Sequence, residues 1–263
     1  MTILDTIVTH KRIEIDRIKE IIPVKMLESS QYFNRECLRA TDYLTRSDKS
    51  GIIAEYKRQS PSKGVINDKL SVKEVTTGYT KAGASCLSVL TDNKFFGGSN
   101  SDLKEAREHN NIPIIRKEFI IDEYQILEAK SIGADFILLI AECLTAVQIK
   151  SFAQIAKSLG LQVLLELNHP EELNKICSEL DMVGVNNRDL HTFKVDIHRS
   201  IELANHIPNE FVKVSESGLN IPENVQELKK HGFRGFLMGE AFMKTDNPGI
   251  ACSQFIKQAE LIR

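Results

Sequence analysis

From residue 51 onward the chain alternates eight short apolar runs with longer stretches of helical pattern, and no other feature restricts its fold so strongly. The runs are 51–56, 86–90, 113–116, 135–140, 162–166, 182–186, 211–215 and 235–238. Several are almost wholly apolar, as strands buried on both faces are. Amphipathic stretches lie between them, including Ser71 to Ala82 and Thr145 to Leu159. Ser71 with Glu74, Thr145 with Gln148 and Asn220 with Glu223 have capping-box spacing, and Pro170 suits the first turn of a helix. One punctuation precedes four of the runs: Lys81-Ala82-Gly83-Ala84, Ser131-Ile132-Gly133-Ala134, Ser158-Leu159-Gly160-Leu161 and Lys230-His231-Gly232-Phe233. A glycine there takes the left-handed helix cap and turns the chain into the next strand. A helix–glycine–strand unit returning every ~25–30 residues is an internal repeat of βα units. Eight such units predict an α/β fold closed into a (β/α)8 TIM barrel, with an open doubly wound sheet as the lesser alternative. At 263 residues the chain matches the length of about 250 usual for one such barrel. The expected organisation is a single domain over 1–263, with eight βα units in 49–263.

Residues 1–48 stand outside the repeat as an N-terminal helical extension. Ile3, Leu4, Ile7 and Val8, then Ile13, Ile18, Ile21 and Ile22, recur at helical spacing. After Pro23 a second helical segment is expected over Met26 to Tyr43. On composition alone, the extension is suited to plugging the bottom of the barrel.

The charge balance excludes several functions. A net charge of −2, with Lys and Arg dispersed and no basic block, argues against nucleic-acid binding. No apolar stretch approaches the ~20 residues of a membrane span, and the N-terminus lacks a signal-peptide core. The cysteines, Cys37, Cys86, Cys143, Cys177 and Cys252, form no CxxC pair, and there is no HxxxH. No metal site is therefore expected, and the thiols read as reduced residues of a cytoplasmic protein.

Chemistry gathers at the ends of the apolar runs. Glu55 and Lys57, Lys117, Glu166, Asn186 with Arg188, and Glu216 with Ser217 each follow one. Residues two apart in a strand share a face, so Glu55 aligns with Lys57 and Asn186 with Arg188. By the same parity Lys117 joins Ile115, Glu166 joins Leu164, and Glu216 joins Val214. Groups at one end of such a sheet converge on a common site. Two lysines among three glutamates suit acid–base work and anion binding, and each lysine–glutamate pair also suits a plain structural staple. The loop Arg58 to Gly64 reads as a flap over an anion or as an ordinary solvated loop. Ser217-Gly218 and Gly239-Glu240 follow the last two strands, where barrels often bind phosphate through backbone N–H groups. Gly218 and Gly239 lack a Cβ, which would let that backbone approach phosphate oxygens; Glu240 is expected to turn its carboxylate away. No GxGxxG, P-loop or GxSxG occurs. His169 and His191 follow strand ends and read as loop residues.

Taken together these segments resemble indole-3-glycerol phosphate synthase. The resemblance rests on Ile53-Ala54-Glu55-Tyr56-Lys57-Arg58-Gln59-Ser60-Pro61-Ser62, then Ser88-Val89-Leu90-Thr91-Asp92 with Phe95-Phe96-Gly97-Gly98-Ser99, then Arg116-Lys117-Glu118-Phe119-Ile120. It continues through Leu165-Glu166-Leu167, Gly184-Val185-Asn186-Asn187-Arg188-Asp189-Leu190, Ser215-Glu216-Ser217-Gly218 and Gly239-Glu240-Ala241. It spans the whole chain. Departures from the family pattern occur at Gly97, Glu118 and Leu167, and none removes a charged residue carried over.

The resemblance implies closure of an indole ring. The substrate would be 1-(2-carboxyphenylamino)-1-deoxyribulose 5-phosphate, a small phosphorylated molecule; the products would be indole-3-glycerol phosphate, carbon dioxide and water, with no cofactor. Lys117 would be the general acid at the ketone, and Glu166 would act in the proton transfers of dehydration. Lys57 would bind anionic groups and supply the charge nearest the phosphate, with Glu55 orienting it. Asn186 and Glu216 would position hydroxyls and the ring nitrogen, and Arg188 would sit near the carboxylate. Ser60, Phe96, Phe119, Leu138, Ser217, Gly218, Gly239 and Glu240 would line the substrate pocket, and the extension would lie over the active end of the barrel. A monomer or weak oligomer is expected. Two alternatives are a phosphoribosyl isomerase on the same barrel and a non-catalytic phospholigand-binding barrel.

Overall fold

The computed structural model describes residues 2–189 and 194–261. Eight parallel strands close a barrel: β1 (Ile52–Tyr56), β2 (Cys86–Leu90), β3 (Ile114–Lys117), β4 (Phe136–Ile140), β5 (Gln162–Leu167), β6 (Met182–Asn186), β7 (Val212–Glu216) and β8 (Phe233–Met238), with β8 pairing back to β1. Each strand falls within two residues of an apolar run. Alternation then divides their side chains. Ile53, Ile115, Phe136, Leu164, Met182, Val214 and Leu237 fill the barrel, whereas Ile52, Ala54, Leu87, Val89 and Ile114 face the surrounding helices.

Helices α4 (Val72–Ala82), α5 (Asn100–His109), α6 (Glu123–Ser131) and α7 (Ala146–Ser158) follow β1 to β4 in turn. A 3-10 segment, Pro170–Lys175, follows β5 where a full helix was expected at Pro170. Then come α8 (His198–Ala204), α9 (Pro222–Lys230), and after β8 both α10 (Glu240–Met243) and α11 (Pro248–Leu261), while α1 to α3 belong to the extension. The glycines before β2, β4, β5 and β8 are all left-handed, as at Gly83 (φ 98°) and Gly133 (φ 95°). The caps are mixed. Thr145 and Gln148 form the full reciprocal box, while the Ser71 side chain accepts from the Glu74 N–H. Asn220 does not cap: Pro222 occupies the first turn, which makes Ile221 the cap and leaves Asn220 at the cavity rim.

The extension does two things at once. Helix α1 (Ile3–Ile21) crosses the C-terminal end of the barrel, and α3 (Ala40–Thr45) enters the opposite end, where Ala40 and Leu44 join the interior cluster. Both expected positions are therefore occupied, by different segments. The single helix expected over Met26 to Tyr43 is instead two short ones, α2 (Val24–Glu28) and α3, separated by turns and extended chain. The chain must descend the outside of the barrel there, and extended backbone covers about twice the distance per residue. Tertiary bonds fix that descent: Arg35 Nη2 reaches Asp135 Oδ1 at 2.7 Å, and the Leu38 N–H donates to the same oxygen at 2.8 Å. At the bottom, the Thr41 N–H donates to Gln162 Oε1 at 3.1 Å. All five cysteines are free, and no helix among the described residues is long and apolar enough to cross a membrane.

Candidate active site

The C-terminal ends of the strands surround a cavity of about 410 Å³. It is lined by Glu55, Lys57, Ser60, Phe96, Lys117, Phe119, Leu138, Glu166, Asn186, Arg188, Glu216, Ser217, Gly218, Gly239 and Glu240, so every site residue expected from the sequence meets there. His191 and Leu190 lie outside the described residues.

At the centre stands Lys117, the last residue of β3. Its Nζ lies 3.1 Å from Glu216 Oε2, 3.8 Å from Glu55 Oε2 and 4.0 Å from Glu166 Oε2. The strand alternation that turns Ile115 inward also turns Lys117 inward, and likewise Glu55, Glu166 and Glu216. Glu55 joins the two lysines: its Oε1 is 2.8 Å from Lys57 Nζ, and its Oε2 also accepts from Ser88 Oγ at 3.2 Å. Asn186 Nδ2 donates to Glu166 Oε1 at 3.0 Å, while Asn186 Oδ1 accepts from the Arg188 N–H at 3.0 Å. The amide is thereby fixed at both ends and holds Glu166 in one orientation.

Burial opposes the charge on Lys117, but Glu216, Glu55 and Glu166 outweigh it and raise its pKa above the ordinary lysine value. Burial likewise opposes the charge on Glu55, yet Lys57 and Lys117 hold it below the usual glutamate range. Glu216 is the carboxylate that yields. Burial pushes it up to about 8; Lys117 only partly offsets this, and Glu166 and Glu55 repel the anion. Lys57 and Lys117 together do not balance three buried carboxylates, so the cluster favours a proton at Glu216. Its Oε1 is buried without a hydrogen-bond partner among the described residues, which also disfavours the anion. Space for that carboxylate comes from Gly184, where a Cβ would lie 2.7 Å from Glu216 Oε1.

Three features of the rim bear on how an anion could be held there. Gly239 is dictated by Glu55, whose Cβ and Oε1 would each lie 2.9 Å from an added Cβ, and Gly218 by Val195 Cγ1 at 2.2 Å. Protein packing alone therefore requires a residue without a Cβ at both positions. The Glu240 carboxylate stays at the mouth, 3.5 Å from Arg188 Nη2 and 3.6 Å from Lys63 Nζ, because two cations draw it there. Lys57 pairs with Glu55, as the sequence reading expects, and Lys63, paired with Glu240, is a further cation on the cavity wall. The flap that carries Lys63 is a short antiparallel hairpin, Gln59–Ser60 against Gly64–Val65. Arg58 anchors it by donating from both terminal guanidinium nitrogens to the Asp102 carboxylate of α5. Ser217, at φ 67°, is the one non-glycine residue with positive φ among those described, a strained position at the cavity edge.

Several lining residues carried no assignment in the sequence: Leu4 and Ile7 of α1, Ile140, Leu237 and Met238. Apolar side chains on amphipathic elements look like core until the barrel mouth is assembled. Ser88 and Gly184 act on Glu55 and Glu216 from neighbouring strands, a relation set by register rather than by spacing along the chain.

A closed parallel barrel with buried lysines and glutamates converging at its C-terminal end defines an acid–base enzyme of the TIM-barrel class. Among solved structures, a mutant tryptophan synthase α-subunit from Pyrococcus furiosus superposes with a TM-score of 0.62 at 17% identity, covering 82% of this chain and 99% of its own; it supports the fold alone. The model of the family "Indole-3-glycerol phosphate synthase" matches residues 4–255. Relatives of that name include one from Bacteroides thetaiotaomicron, 49% identical over 97% of this chain and 98% of its own length. Another, from Polaromonas naphthalenivorans, is 40% identical over 96% and 97%. The chain belongs to the indole-3-glycerol phosphate synthase family, the carboxy-lyases of tryptophan biosynthesis.

Proposed function

We propose that the protein converts 1-(2-carboxyphenylamino)-1-deoxyribulose 5-phosphate to indole-3-glycerol phosphate, carbon dioxide and water, with Lys117 as the acid of ring closure. The observation that carries this is one ammonium held among three buried carboxylates. The ring carbon bearing the carboxylate attacks the ketone, and Lys117 donates to the oxygen as its negative charge develops. Carbon dioxide then leaves with its bonding electrons returned to the ring. Glu166, fixed by Asn186, handles the proton transfers through which the remaining hydroxyl departs as water. Glu55, 2.8 Å away, holds Lys57 in place for an anionic group and a later proton. Protonated Glu216 and Asn186 meet hydroxyls and the ring nitrogen, and Arg188 the carboxylate. The phosphate fits the loops at Ser217-Gly218 and Gly239-Glu240, where the first N–H groups of α10 lack intrahelical partners, with Lys63 closing from the flap. Leu4, Ile7, Leu138, Phe96 and Phe119 enclose the aromatic ring.

All these groups come from one chain, which fits a monomer or weak oligomer in the cytoplasm whose extension and barrel act as one domain. The direct test is stoichiometric release of carbon dioxide and indole-3-glycerol phosphate from the substrate by purified protein. Consumption without carbon dioxide would point to the isomerase alternative, and binding without product to the non-catalytic one.

Two further results are expected. Deleting residues 2–22 should raise KM while leaving the α3 plug in place, whereas Leu44→Ala should lower stability by about 2–5 kcal/mol with KM unchanged. Thermal melts run beside steady-state kinetics separate the two halves of the extension. The second concerns pH. Below about 8 Glu216 holds its proton; above it the site gains a negative charge and repels a substrate bearing phosphate and carboxylate. kcat/KM should therefore fall as pH rises through this value, and Glu216→Gln should lose that limb in a series spanning about pH 6 to 10.

A further inference from the structure

Lys11 is a buried charge that the proposed chemistry does not use. Its side chain is 2% exposed, and its Nζ lies 2.8 Å from Glu14 Oε2, 2.9 Å from Asp92 Oδ2 and 3.1 Å from Glu118 Oε1. Burial opposes its charge, but Glu118, Asp92 and Glu14 together raise its proton affinity. It stays an ammonium.

Each partner beyond α1 shapes part of the cavity wall. Asp92, just past β2, accepts the Phe95 and Phe96 N–H groups on Oδ1 at 2.7 and 3.1 Å. Glu118, just past β3, accepts the Phe119 N–H on the same Oε1 that faces Lys11, at 2.9 Å, and Thr91 Oγ1 on Oε2 at 2.8 Å. The Phe96 and Phe119 rings stand 5.9 Å apart on the cavity wall. On α1 itself, Leu4, Ile7 and Lys11 share one face at spacings of three and four, and Leu4 and Ile7 also line the cavity. One ammonium thus joins the helix, the Phe96 loop and the Phe119 loop, which are three walls of one apolar enclosure.

We propose that Lys11 is a positioning residue that sets α1 against the Phe96 and Phe119 loops, and so fixes the subsite for the substrate's aromatic ring. The inference rests on the assignment of that subsite made above. An apolar side chain would hold a helix down as firmly as a buried ion cluster, because desolvation cancels much of the ionic attraction. What the cluster adds is direction: it favours one placement of the helix relative to two backbone loops. A second cavity, of about 170 Å³ and lined by Lys11, Glu14, Thr91, Arg116 and Glu118, leaves room for a longer cation.

The test uses the full chain carrying Lys11→Met or Lys11→Arg, with kcat, KM, the inhibition constant of inorganic phosphate, and thermal melts. Lys11→Met should raise KM about ten- to a hundredfold, as loss of apolar enclosure does, with kcat and phosphate inhibition near wild type. Lys11→Arg should restore KM. A Met variant that melts lower but keeps its KM overturns the proposal, and so does parallel weakening of phosphate, which reports general loss of the site. Failure of Lys11→Arg to restore KM in a folded protein also overturns it. If the Met variant does not fold, Asp92→Asn loosens the same link and should raise KM in the same way; an unchanged KM there is equally fatal. Phe96→Ala with Phe119→Ala checks the foundation, since an unchanged KM in that variant would refute the aromatic subsite itself.

Discussion

Lys117→Ala should reduce kcat by at least about 10²–10⁴-fold, the range of a general acid, with KM little changed. The reasoning is differential. In the ground state the ammonium is already satisfied by Glu216 at 3.1 Å and by Glu55 and Glu166 within 4.0 Å, so substrate gains little from it on binding. When the ketone oxygen becomes negative, that ammonium is the buried donor that can meet it, and an interaction made only in the transition state appears in kcat. Its exposure points the same way: the Lys117 side chain keeps 17% of its surface open, against 2–4% for the three carboxylates around it. The variant leaves those carboxylates without their common counter-ion, so Glu216 should bind its proton more tightly still and the fall in kcat/KM near pH 8 should move upward. Lys117→Met keeps the volume and separates the lost charge from the lost packing. Either variant turning over at a near wild-type rate, measured by carbon dioxide release, would remove Lys117 from the reaction.

The barrel was readable in the sequence because its two periods are local. Strand runs such as Val163-Leu164-Leu165 and the caps at Gly83 and Gly133 need only neighbouring residues to declare themselves. Side-chain parity carried that reading into the site, since Ile115 inward requires Lys117 inward. The extension was legible only in part. Its amphipathic first helix is real, but the path from Ser29 to Arg39 is governed by Asp135 and Gln162, which lie about a hundred residues away and have no local signature. The same limit explains Asn220, which the spacing assigns to a cap and the structure gives to the cavity. Gly239 and Gly218 carry a constraint that the sequence hides: a side chain there would meet Glu55 and Val195, contacts that become visible only once the barrel is closed.

Glu166→Gln should slow turnover by about 10²–10⁴-fold and, unlike the Lys117 variants, should separate carbon dioxide release from indole formation. The substitution is close to isosteric. Glutamine keeps an oxygen for the Asn186 Nδ2 bond now made at 3.0 Å, so the side chain should stay where it is. What it loses is the capacity to take and return a proton. Lys117 does not depend on Glu166 alone for its charge, since Glu55, which keeps its negative charge, is nearer at 3.8 Å. Ring closure and decarboxylation should therefore proceed on Lys117, while dehydration stalls and a ring-closed, still hydroxylated species accumulates. Single-turnover mixing that follows carbon dioxide and indole absorbance together tests this, with a carbon dioxide burst running ahead of the indole signal as the expected trace. Equal slowing of both signals, with no intermediate, would place Glu166 at or before ring closure. Weaker binding at an unchanged turnover rate would make it a binding residue, because a group that serves only the ground state changes KM and leaves kcat alone.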